Sequence, residues 1–145
     1  MSLASLFGGL ALANSGLGAV HGFASVIGGM YSAPHGAICA RLLPAVMEVN
    51  IRALHRRMVE NTALDRYNII ARILTGKQEV VASEGIAWVN SLCAQLKISP
   101  LSDYGITPHD FILIVEKTIQ ASSTKANPIQ LTPEELSEIL EIALR

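Results

Sequence analysis

Two histidines, each followed by a glycine, stand at His21 and His35 among small and apolar side chains, where an imidazole without a partner is costly. Neutral imidazoles offer lone pairs to a divalent cation, so a pair carried by neighbouring elements is a candidate metal site. Two donors are fewer than the roughly four that a zinc or non-haem iron site takes. The nearest acid, Glu48, is also the first in the chain. On the residues alone, a hydrogen-bonded core histidine therefore outweighs a ligand at either position, and both readings stay open. Ser25 follows His21 by one helical turn; its hydroxyl can pass a hydrogen bond but cannot act as a base near neutral pH without help. Cys39 follows His35 by one turn, where it could seem a third donor, although a buried thiol ordinarily serves packing. His55 and His109 lie among polar residues at expected helix boundaries and read as solvated surface.

Helices must position these groups, because apolar residues recur at helical spacing almost throughout and no stretch sustains period-two alternation. Leu3, Leu6, Phe7, Leu10 and Ala13 predict a core helix ending near Asn14. After a glycine-containing turn, a second helix over residues 19–28 puts His21 and Ser25 on one face. Pro34 is expected as the first residue of a third helix, with His35 in its first turn, and Pro44 is expected to bend or divide it before a polar connection begins at His55. Leu64, Tyr67, Ile70 or Ala71, and Leu74 mark a fourth helix closed by Gly76; Val81, Gly85, Trp88 or Val89, Leu92 and Leu96 mark a fifth. Thr107-Pro108-His109-Asp110 starts a sixth, with Phe111 or Ile112, Val115 and Ile119 buried. Residues 121–128 are expected to be a loop. Thr132-Pro133-Glu134-Glu135 forms a capping box for the last helix, carrying Leu136, Ile139, Leu140 and Ala143. The fold class is all-α, a bundle of about seven helices.

Composition narrows the partners. The 145 residues are half apolar, enough for one domain with its own core. A net charge of −1, a pI near 6.4 and dispersed Lys and Arg argue against a nucleic-acid surface. Cys39 and Cys93 suit reduced thiols in a cytoplasmic protein better than a disulfide. The first thirty residues carry no charge, which raises a membrane span or signal peptide; their many glycines, Asn14, His21 and the lack of flanking Lys or Arg favour buried core helices instead. No membrane partner is expected. The abrupt start inside an apolar pattern suggests a piece of a longer protein.

The stretch Gly18-Ala19-Val20-His21-Gly22-Phe23-Ala24-Ser25, the His21-to-His35 spacing, Pro34-His35-Gly36 and Leu42-Leu43-Pro44-Ala45-Val46-Met47 with Asn50 resemble the metal-binding signature of the iron-containing (group III) alcohol dehydrogenases. The likeness continues through Arg66-Tyr67-Asn68-Ile69-Ile70-Ala71-Arg72, Ile98-Ser99-Pro100-Leu101, Asn127-Pro128 and the final helix, covering nearly the whole chain. It implies the carboxyl-terminal helical half of a dehydroquinate synthase-like fold. Residues 1–145 would form a single metal-binding domain, with the N-terminal dinucleotide-binding domain absent from this chain.

In that family one Asp and three His hold iron(II) or zinc, and the last two histidines correspond to His21 and His35. The implied reaction moves a hydride between a small alcohol or aldehyde substrate and NAD or NADP. The resemblance implies that Leu12 and Leu17, whose positions in related enzymes approach the substrate, line its pocket, the other reading being plain core residues on an apolar helix. Ser25 stands where many members carry a histidine credited with relaying the alcohol proton. The isolated chain is expected to be inactive, and a homo-oligomer is left open. The alternatives are a free-standing helical interaction module, or a superfamily relative such as a glycerol dehydrogenase or maleylacetate reductase.

Overall fold

The computed structural model describes residues 2–58 and 62–145. Seven α-helices run through them: α1 Ser2–Ser15, α2 Ala19–Met30, α3 His35–Arg57, α4 Thr62–Thr75, α5 Ala82–Gln95, α6 Phe111–Gln120 and α7 Pro133–Ala143. Short 3-10 turns lie at Leu101–Tyr104, Pro108–Asp110 and Ser122–Ala126, and there is no strand among the described residues. The continuation of the polar connection after α3, residues 59–61, lies outside the described residues.

α3 is the central strut, packing on α2, α5 and α7 and touching α4, while α6 fills the space between α2 and α7. Its buried residues Ile38, Leu42, Ala45, Val49 and Ala53 recur at steps of three or four, which lays one apolar stripe along a helix. Phe23 and Ile27 of α2, Ile114 of α6, and Leu136, Ile139 and Leu140 of α7 meet that stripe in one core. Of the two registers left open for α6, Phe111 is buried and Ile112 is exposed.

Helix ends follow the expected chemistry where side chains supply it. The Thr132 hydroxyl accepts from the Glu135 amide at 3.2 Å, and the Glu135 carboxylate accepts from the Thr132 amide at 2.8 Å. Arg57 donates to the same carboxylate at 2.8 Å, and Arg52 pairs with Glu138, tying the end of α3 to α7. Arg41 Nε donates to the Ala143 carbonyl at 2.9 Å, satisfying one of the orphan acceptors at the end of α7. At the start of α6 the Asp110 carboxylate accepts from the Thr107 amide and hydroxyl, both at 2.8 Å, and these bonds hold its carboxyl below the usual range.

Pro44 does not divide the helix: α3 runs unbroken over 23 residues with Pro44 buried inside. A proline at 44 has no N–H for the carbonyl four residues earlier, that of Ala40. The Cys93 thiol of α5 donates to that carbonyl at 3.4 Å. The replacement donor comes from across the bundle. Pro34 precedes the helix instead of opening it, with φ −63° and ψ 127°.

The first helix is a second correction. It is expected as a core element, yet α1 has no buried residue, and Leu6 and Phe7 are 58% and 60% exposed. None of its apolar residues is buried against the other described residues. Gly16, at φ +71°, turns the chain between α1 and α2, which meet at 102°. No single described helix is long and apolar enough to cross a membrane, although α1 and α2 together have the length and composition.

Candidate metal centre

His21 lies in the first turn of α2 and His35 opens α3. Their rings converge, with centroids 5.5 Å apart and planes inclined at 50°. His21 is half-buried and His35 exposed, so neither is the hydrogen-bonded core histidine that composition favoured. One turn into α3, Cys39 Sγ sits 3.5 Å from His35 Nε2. One donor atom from each of His21, His35 and Cys39 lies within 4.8 Å of the other two. Cys39 was expected to serve packing alone; instead its half-buried thiol faces the two rings, and burial pushes that thiol up from its ordinary pKa.

The glycine after His21 has a packing reason. A Cβ on Gly22 would stand 2.1 Å from Thr124 Oγ1, a hydroxyl that donates to the Thr118 carbonyl at 2.7 Å. α2 can lie this close to the Ser122–Ala126 turn only with glycine there. Ser25, one turn beyond His21, is exposed, and its hydroxyl donates to the Gly22 carbonyl at 2.9 Å. Leu12 is exposed on α1 and Leu17 lies in the turn before α2; neither lines the cleft that contains His21.

That cleft holds about 610 Å³ between α3, α4 and α5 and is almost wholly apolar, with His21 and Cys39 in its wall beside Leu43, Trp88 and Leu92. Of the alternatives left open on α4 and α5, Ala71 and Val89 are buried, whereas Ile70 and Trp88 line the cleft and stay partly exposed, as does Leu92. Val81 and Leu96, at the ends of the α5 stripe, are exposed outright.

A polar network missed by the sequence reading positions the start of α2. Ala19 N–H donates to Asn127 Oδ1 at 3.1 Å, a helix cap supplied from the far end of the chain. Asn127 Nδ2 donates to Asn50 Oδ1 at 2.7 Å and to the Ile129 carbonyl at 2.8 Å. Asn50 Nδ2 donates in turn to the Tyr67 hydroxyl at 3.1 Å. Burial pushes the Tyr67 phenol up, which keeps its proton in place. Asn50, 2% exposed on a helix stripe otherwise apolar, was the sequence signal for such a network. Asn127→Ala leaves Asn50 and the Ala19 amide without this partner, and is expected to lower the unfolding free energy by about 2 kcal/mol or more in urea denaturation. A shift of a few tenths would show that water replaces the amide.

The donor set suits a divalent ion that takes nitrogen or sulfur, since no carboxylate is among the clustered donors. The imidazoles therefore fit a metal as part of a ligand set. What the structure defines as a class is a helical domain with a convergent histidine pair, one of whose rings, His21, lies in the wall of an apolar cleft.

The comparisons with known proteins specify that class. The chain belongs to the iron-containing alcohol dehydrogenase family: residues 1–144 match the family's C-terminal region. It is 34% identical over 145 residues to alcohol dehydrogenase 4 of Schizosaccharomyces pombe and 32% identical to 1,3-propanediol dehydrogenase of Klebsiella pneumoniae, matching 99% of this chain but 32% and 36% of those proteins. Among solved structures it superposes on a 1,3-propanediol oxidoreductase with a TM-score of 0.79 and 29% identity, over 97% of this chain and 36% of that one. For an alcohol dehydrogenase from Oenococcus oeni the TM-score is 0.77, with 33% identity over 93% of this chain and 34% of that one. The chain thus spans about a third of the length of the curated relatives it matches. Its all-helical architecture is that of the C-terminal domain in this family.

Proposed function

We propose that this chain is the metal-binding part of an alcohol dehydrogenase that moves a hydride between a small alcohol or aldehyde and NAD or NADP. The observation that carries the reading is the convergence of His21 and His35 at 5.5 Å from consecutive helices, in a chain whose relatives include alcohol and 1,3-propanediol dehydrogenases. Iron(II) or zinc would be held through the two imidazoles, with the remaining ligands and the cofactor cradle supplied by sequence corresponding to the part of the relatives outside this match. When bound, such a metal supplies a Lewis acid for an alcohol oxygen, and the nicotinamide supplies the hydride acceptor.

The chain's own residues have three tasks in this reading. His21 and His35 orient their lone pairs toward one cation. The apolar wall formed by Leu43, Trp88 and Leu92 keeps water from the reacting carbon. Ser25 Oγ, whose proton already goes to the Gly22 carbonyl, keeps its lone pairs free to accept a hydrogen bond in a proton relay. Leu12 and Leu17 would border the substrate once further protein covers the exposed α1, whether from the same subunit or a homo-oligomer. Free thiols at Cys39 and Cys93 support a cytoplasmic setting, and neither nucleic acid nor membrane is a proposed partner.

Supplied with iron(II) or zinc, NAD or NADP and a panel of primary alcohols and diols, this chain alone is expected to bind the ion and give no turnover. Steady turnover would overturn the division of labour proposed here.

A further inference from the structure

Cys39 is the one donor in the convergent cluster that neither the family likeness nor the sequence reading assigned to metal. We propose that Cys39 Sγ is a third donor to the ion held by His21 and His35, so that this chain carries a two-nitrogen, one-sulfur site with a preference for thiophilic divalent ions such as zinc. The proposal rests on the reading of the two histidines as ligands and adds the thiol to it.

Three observations carry it. Cys39 and His35 stand four residues apart on α3, the spacing that puts two ligands on one helical face, and their donor atoms are 3.5 Å apart. His21 reaches the same spot from α2, and all three donors lie within 4.8 Å of one another. The two cysteines also differ in what they touch. Cys93 spends its proton on the Ala40 carbonyl left bare by Pro44. Cys39 lies against the His35 nitrogen, with its side in the cleft wall.

Coordination forms a sulfur–metal bond and breaks the S–H bond, the proton passing to solvent, so binding through sulfur is accompanied by proton release. A thiolate beside two imidazoles favours zinc over harder ions, because no carboxylate oxygen is present in the cluster to favour the latter.

The test is an anaerobic titration with cobalt(II), a spectroscopic substitute for zinc, on the intact chain. The expected result is a near-ultraviolet thiolate-to-cobalt charge-transfer band that is retained in Cys93→Ser and lost in Cys39→Ser. In a parallel titration, Cys39→Ser is expected to weaken zinc binding by at least about tenfold, the lower end of what perturbing a metal site's supporting groups costs. Cobalt bound without the band, or a band that survives in Cys39→Ser, overturns the thiol's role and leaves the histidine pair standing. Failure of wild type to bind cobalt or zinc overturns both readings. Circular dichroism of each variant separates loss of a donor from loss of fold.

Discussion

His21→Ala combined with His35→Ala is expected to lower the affinity of this chain for zinc by at least about a hundredfold, measured by competition with a chromophoric chelator. The estimate is conservative: altering a group that only supports a ligand already costs about 10- to 100-fold, and here two donors are deleted. The same variant should unfold within about 1 kcal/mol of wild type, because His35 is exposed and His21 only half-buried, and substitutions outside the core are cheap. The combination is diagnostic. A large loss of affinity at nearly unchanged stability identifies the imidazoles as ligands, while unchanged affinity would move the metal elsewhere and remove the basis for the proposed function. A collapse of the fold would instead assign the rings to packing.

Phe23→Ala carries the largest expected cost in stability. The ring is fully buried where α2 meets the stripe of α3 and the inner face of α6, and the substitution removes its hydrophobic burial while leaving a cavity. Such changes cost about 3–5 kcal/mol, a large share of the roughly 5–15 kcal/mol by which domains are stable. Urea denaturation followed by circular dichroism should show the midpoint falling accordingly. Because Phe23 is two residues from His21 on the same helix, looser packing should also weaken metal binding. A loss below about 1 kcal/mol would mean that α2 is held mainly by the Asn127 cap and not by its core face.

Much of the architecture was legible because it is local. Apolar spacing located the seven helices of the described residues, since a helix able to bury one face must repeat its apolar residues every three or four positions. The Thr132 to Glu135 capping box was readable for the same reason: its partners are three residues apart. Periodicity also mis-stated burial, because a stripe says which residues share a face and not what lies opposite. α1 has the composition of a core helix but buries no residue among the described ones, and the stripes of α4 and α5 border a cleft.

By itself, the sequence determined an all-helical chain, the helix starts where capping residues are adjacent, and the motif around His21 and His35 that places the chain in its family. Tertiary structure alone decided that Pro44 could sit inside a continuous helix, that Asn127 caps α2 and fixes Asn50, and that Cys39 faces the two rings. Each of these depends on a donor or acceptor arriving from elsewhere in the chain: the Cys93 thiol at the Ala40 carbonyl, the Asn127 amide at Ala19, and the His21 ring beside a turn of α3. Local spacing encodes which groups share a face; only packing brings the distant partner that satisfies them.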